Sequence, residues 1–225
     1  MFRGLFTFIL ALGSLATTAQ QSPALKRELD SILVTDQQYR ALMGPDMAVK
    51  ADSLARVFGV SKEDLPMHLW KLQSRSDSLN IIRIEAIIKE YGYPGKSLVG
   101  TPTNEAVFYV LQHSEVIDRY LPVVKEAAEK GELPFHLYAM MLDRSLMYAG
   151  KEQVYGTQGS GFTWTNPETG KQEMKMIIWP IQDPAGVNAR RKEAGFTLTV
   201  EENAKRLGIP YQVFTLEEVR KMKGK

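Results

Sequence analysis

The stretch Gly150-Lys-Glu-Gln-Val-Tyr-Gly-Thr-Gln-Gly-Ser-Gly161 divides the chain into two kinds of pattern. Before it, apolar residues recur at helical spacing; after it comes the one convincing β pattern. Its glycines leave the backbone free to visit positive φ and to approach a ligand closely. Gln153, Tyr155, Thr157 and Gln158 add polar reach. The segment therefore reads either as a binding loop or as a plain helix-to-strand connection.

Towards the C-terminus, Phe162-Thr-Trp164-Thr and Met174-Lys-Met176-Ile-Ile178-Trp179 flank Asn166-Pro-Glu-Thr-Gly170. Aromatic and β-branched residues on either side of a turn predict a hairpin at about 161–181. Two strands alone are marginal, so the ribbon must pack on helices. Asn188 and Thr199 open further helices, and Thr215-Leu-Glu-Glu218 is a capping-box start for the last one. Towards the N-terminus, Ser22-Pro23 opens a helix that ends by Gly44-Pro45. A second helix over 46–60 ends at Gly59, and a third runs from Ser61–Pro66 to Tyr91. Gly92 and Pro94 forbid simple continuation. Thr103 caps a helix that carries Gln112 and His113, Asp118 and Pro122 mark a break or a new start, and Leu133-Pro134 opens a helix ending near Gly150. The fold class is mainly α: one helical domain over 20–225 with a small antiparallel β-hairpin.

Residues 1–19 read as a secretory signal peptide. Arg3 gives a positive start, Leu5–Leu12 an apolar run, and Thr17 and Ala19 the small-residue positions of a cleavage site. The run is shorter than the roughly 20 residues of a spanning helix, so no integral membrane segment is expected after cleavage, and the protein is expected outside the cytoplasm, periplasmic or extracellular. The chain has no cysteine, which excludes disulfides and thiolate metal sites. With 28 basic and 26 acidic residues mixed along the chain, no nucleic-acid partner is expected.

Several short polar motifs occur in order: Asp36-Gln37-x-x-Arg40, Asp77-x-x-Asn80, Gly92-Tyr-Pro-Gly95 with Ser97-Leu-Val-Gly100, and Gln112-His113. Asp143-Arg144, Tyr155-Gly-Thr-Gln158, Pro180-Ile-x-Asp183 and Asn188-x-Arg190-Arg191 complete the series. In this series the chain resembles the bacterial domain of unknown function 6624 family, whose members often carry signal peptides. The resemblance runs from about Leu29 to Arg206. It implies that 44–74 is an added helical element, and it brings no established activity.

These motifs place acids, amides, a histidine and arginines for chemistry. His113 is the natural proton carrier, since its ordinary pKa lies near neutrality, with Asp143 or Asp36 to orient its ring. Arg190 or Arg191 would hold an anionic group, Tyr155, Thr157 and Gln158 would supply hydrogen bonds, and Gln37 and Arg40 join the ligand-binding candidates. From spacing alone, Asp36 and Arg40 also read as a surface ion pair one helical turn apart. His68, His113 and His136 lack the close spacing of a metal site, so no metal is expected, nor any other cofactor. Ser160 lacks the strand–elbow–helix setting of a hydrolase nucleophile, and nothing selects a glycosidase pair among Asp36, Glu105, Asp118 and Asp143. Two readings follow: an exported hydrolase- or transferase-like enzyme acting on a small-molecule or cell-envelope ligand, or a non-catalytic envelope binding or interaction module. The second expects an exposed apolar or aromatic patch around Phe162, Trp164 and Trp179, with the polar motifs buried as structural bonds.

Overall fold

A computed structural model describes residues 22–44 and 46–224. The signal peptide read in residues 1–19 and the helix stop read at Pro45 lie outside the described residues. Ten α-helices and one two-stranded antiparallel sheet occur among the described residues. None of these helices is long and apolar enough to cross a membrane.

The first helix, α1, spans Pro23–Leu42, with Pro23 in its first turn and the Ser22 hydroxyl accepting from the Leu25 N–H. α2 covers Met47–Phe58 and stops where Gly59 turns left-handed at φ 66°. α3, Leu65–Tyr91, is roughly 40 Å long at 1.5 Å per residue. It runs antiparallel to α1: Arg83 pairs with Glu28, Asn80 meets Thr35, and Gln73 reaches the backbone of Asp36. The pair passes through two apolar clusters. Leu25, Leu29 and Ile32 meet Ile84 and Ile87 in the main core. Tyr39, Leu42 and Met43 meet Leu65, Leu69 and the α2 residues Ala51, Leu54 and Phe58 in a satellite core. Between the two clusters the same helices bury Asp36, Gln73 and Asn80. His68, in the satellite region, packs its ring against Phe58 at 5.6 Å.

A short α4 (Lys96–Val99) leads to a 3-10 turn at Thr103–Glu105 and then α5, Ala106–Leu111. Thr103 does not cap α5; its buried hydroxyl donates to Asp30 at 2.6 Å, tying this turn back to α1. α6 spans Ile117–Glu129, and Pro122 sits within it rather than breaking it, while α7 spans Phe135–Tyr148. Buried Val107, Phe108, Val110, Leu111, Val124 and Met141 of these helices complete the main core.

The hairpin pairs β1, Gly159–Thr165, with β2, Gln172–Ile178, in the register Gly159–Ile178 to Thr165–Gln172. Beyond it come α8 (Val187–Glu193), α9 (Val200–Arg206) and α10 (Leu216–Met222). Both α9 and α10 begin with complete capping boxes, at Thr199 and Thr215. The ribbon does not leave an open aromatic patch. Trp179 is only 8% exposed and donates its indole N–H to the Lys151 carbonyl at 2.7 Å. Phe162 packs in the cluster with Trp179 and Val219, and the Lys175 ammonium covers Trp164 at 4.2 Å. The exposed apolar side chains on the hairpin are instead Met174 and Met176.

Candidate functional site

The loop after α7 is organised around one carboxylate. Asp143 is fully buried, and its two oxygens accept from the N–H groups of Val154 (2.7 Å), Tyr155 (3.0 Å) and Thr157 (2.9 Å) and from the Thr157 hydroxyl (2.9 Å). Burial raises its pKa, and these donors act in the opposite direction. Gln153, also fully buried, donates to the carbonyls of Gln158 and Trp179 and accepts from the Gln158 N–H. Gln153, Thr157 and Gln158 thus turn inward, Gln153 and Gln158 bonding backbone carbonyls and Thr157 the Asp143 carboxylate, whereas Tyr155 stays half-buried. Gly156 is required on two counts. Its φ is 68°, and a Cβ there would lie 2.6 Å from Val200 Cγ2 and 2.9 Å from Ile181 Cδ1.

The paired arginines of α8 clamp the same loop. Arg190 bonds the carbonyls of Val154, Gln182 and Asp183 and the Asp183 carboxylate. Arg191, 2% exposed, bonds the carbonyls of Tyr155 and Leu198 and lies over the Phe196 ring at 4.5 Å. Tyr155 and Arg190 border a cleft of about 360 Å³ with Phe135, Glu193 and Ala194.

On the α1–α3 side, Asp36 and Arg40 do not form a surface pair. Asp36 is 1% exposed, accepts from Gln37 Nε2 at 2.6 Å, and stands 3.7 Å from Arg40 Nε. Arg40 turns its outer nitrogen to Asp77 at 2.6 Å, and Gln73 Nε2 bonds the same Asp77 oxygen at 2.7 Å. Burial pushes the Asp36 carboxyl up to about 6, against the nearby Arg40 charge and the Gln37 bond, with Asp77 adding to the rise. Asp36 Oδ1, Arg40 Nε, Gln73 Oε1 and Asn80 Nδ2 are all buried without a partner, so this seam is the least satisfied polar region among the described residues.

The outer face of the seam opens into a cleft of about 640 Å³. Arg40, Asp77 and Ser74 form one wall, His113, Ser114 and Arg144 the other, and Trp70 and Tyr148 stand at the lips. Arg144 donates to the Gln112 carbonyl at 2.9 Å, to Gln158 Oε1 at 3.2 Å and to His113 Nδ1 at 3.1 Å. A guanidinium only donates, so Nδ1 must accept and the neutral ring carries its proton on Nε2. Loss of solvent around the ring, then the charges of Arg40 and Arg144, hold the His113 pKa far below its usual value. The residue as a whole is nonetheless exposed to solvent. All three acceptors of Arg144 are neutral, and no carboxylate among the described residues pairs with it. Burial accordingly lowers its pKa.

The structure therefore brings together Arg40, His113 and, behind Arg144, Gln158. Asp143 accepts from the loop rather than from His113, and Asp36 faces Gln37 and Arg40. Arg144, part of a quoted motif but not among the candidates, is the residue that joins His113 to the loop. No group of three metal-ligating His, Cys, Asp or Glu side chains occurs among the described residues. A further cleft of about 560 Å³, lined by Tyr91, Gly95, Glu126, Lys130 and Glu132, has its charges engaged. Glu126 and Lys130 pair at 2.5 Å, and Glu132 accepts from the Ser97 N–H.

Fold and site together define a mainly helical protein with a small β-ribbon and a cleft that carries Arg40 and Arg144 together with Asp77 and Glu115. The chain belongs to a family of unknown function, DUF6624, whose model matches residues 35–213 and so takes in Arg40, Asp77, His113 and Arg144. No curated protein and no solved structure matches it.

Proposed function

We propose that this is an exported bacterial binding protein whose 640 Å³ cleft takes a small anionic ligand, held by Arg144 with Arg40 and His113. The observation that carries this reading is Arg144. Its guanidinium is partly withdrawn from water and answered only by neutral acceptors. An anion beside it would replace lost hydration with a charge-assisted bond, worth about 1.5–3 kcal/mol. His113 Nε2–H supplies a neutral donor nearby, and Arg40 a second cation already half-answered by Asp77. The signal-like residues 1–19 support export. Titration with acetate and with inorganic phosphate, followed by amide and arginine side-chain NMR, tests the binding. Saturable shifts centred on Arg144 are expected, with affinity falling about tenfold or more in Arg144→Gln. Shifts that are absent, or unchanged in that variant, refute it. Fractionation of cells expressing the full chain tests export.

A hydrolase- or transferase-like activity is the second reading, favoured by the presence of a neutral imidazole in the cleft wall. In the tautomer that Arg144 imposes, His113 would act first as a proton donor through Nε2, because its Nδ1 lone pair is engaged. Turnover of a bound ligand that His113→Gln abolishes without weakening binding would establish it.

A further inference from the structure

Resting on the anion-binding reading, we infer that the ligand is a monoanionic, carboxylate-bearing saccharide. The lips of the cleft carry the first argument. Trp70 is 57% exposed and Tyr148 67% exposed, although an aromatic ring ordinarily buries much of its face. Both border the same cleft as Arg144, and Tyr148 is close enough to influence the Arg144 charge. Two open rings beside a cation suit a ligand with a flat apolar face and an acidic group at its edge.

The charges of the lining point to one anionic group. The cleft side chains include Arg40 and Arg144 but also Asp77 and Glu115. These four formal charges cancel, but they are unevenly paired: Arg40 stands against Asp77 and Asp36, whereas Arg144 bonds only neutral acceptors, and Asp77 and Glu115 on the lining disfavour a second negative charge. One carboxylate answers Arg144, whereas a dianionic phosphate brings a second charge towards Asp77 and Glu115.

The cleft also offers an open acceptor. Asp77 Oδ1 receives both Arg40 and Gln73, whereas Oδ2 has no hydrogen-bond donor among the described residues. Ser74 and Ser78 line the same wall. A plain aromatic acid would bring no donor to Asp77; a ring bearing hydroxyls would. Cation for the carboxylate, carboxylate for the hydroxyls and indole for the ring face together select an acidic sugar over a simple organic acid.

The test is NMR titration of the full chain, following the Arg144 side-chain and neighbouring backbone amide signals in every protein and the Trp70 indole N–H in the wild type, with D-glucuronate, D-glucose, acetate and inorganic phosphate. Glucuronate is expected to bind at least tenfold more tightly than acetate or phosphate, and glucose no better than acetate. Trp70→Ala should bring glucuronate down to the acetate level while leaving acetate within twofold, and Trp70→Phe, which keeps a ring, should retain the preference. If acetate and phosphate bind through Arg144 but glucuronate gains nothing over them, or phosphate binds tightest, the saccharide assignment is overturned and the anion site stands. If no anion shifts any cleft signal, both are overturned.

Discussion

Asp36→Asn isolates the buried seam. The wild-type carboxyl titrates at about 6 in the fold against an ordinary 3.8. Because the folded pKa is the higher one, the folded state binds more protons than the unfolded chain between these values. Stability is therefore greatest below about pH 4 as far as this group is concerned, and it falls as pH rises through 6. At about 1.36 kcal/mol per pKa unit, the ionised group costs about 3 kcal/mol once fully charged, and the part expressed between pH 4.5 and 7.5 is about 2 kcal/mol. Asparagine keeps the shape and cannot ionise. Urea denaturation of both proteins at the two pH values should show the gap between them shift by that amount in favour of the variant at the higher pH. With a slope of about 2 kcal/mol per molar urea, this is a relative midpoint change of about 1 M. His113, whose depressed pKa makes stability fall as pH drops below its usual value, contributes equally to both proteins and cancels. Parallel midpoint-versus-pH curves would refute the description of Asp36 as a desolvated acid.

Asp143→Ala leaves the N–H groups of Val154, Tyr155 and Thr157 without their acceptor. A loss of about 3–5 kcal/mol is expected by thermal or chemical denaturation. Gln153→Ala removes three buried bonds and should cost about 2–4 kcal/mol in the same assay, a result that a solvent-facing binding glutamine would not give. Gly156→Ala meets Val200 and Ile181 and a left-handed backbone together, so about 2–4 kcal/mol is expected, again from denaturation midpoints. Arg190→Ala should loosen the 153–158 loop, read as faster amide exchange at Tyr155, with little change in α1.

The helices and the hairpin were legible because apolar spacing, Pro23, the glycine stops and the two capping boxes are local signals. The environment of the polar residues was not. Asp36 and Arg40 have the same four-residue spacing whether solvent or Gln73 and Asp77 lies beyond them, and those partners come from 37 residues away. Likewise, nothing in Tyr155-Gly-Thr-Gln158 announces that its donors face a carboxylate on the preceding helix. Arg144 was hidden beside Asp143. Adjacent helical residues point about 100° apart, so one motif serves two neighbourhoods: Asp143 turns to the loop and Arg144 to the end of α5.

α3 threads both apolar clusters, and this fixes how the cleft is anchored. Its first half, with Trp70 and Ser74, is rooted through Leu65 and Leu69 in the satellite core, whereas His113, in the turn after α5, and Arg144, on α7, rest on the main core. The two sides of the cleft are thus separately founded and joined by one long strut. Substitutions in α2 that loosen the satellite core are therefore expected to disturb the Trp70 and Arg40 side of the cleft more than the His113 and Arg144 side.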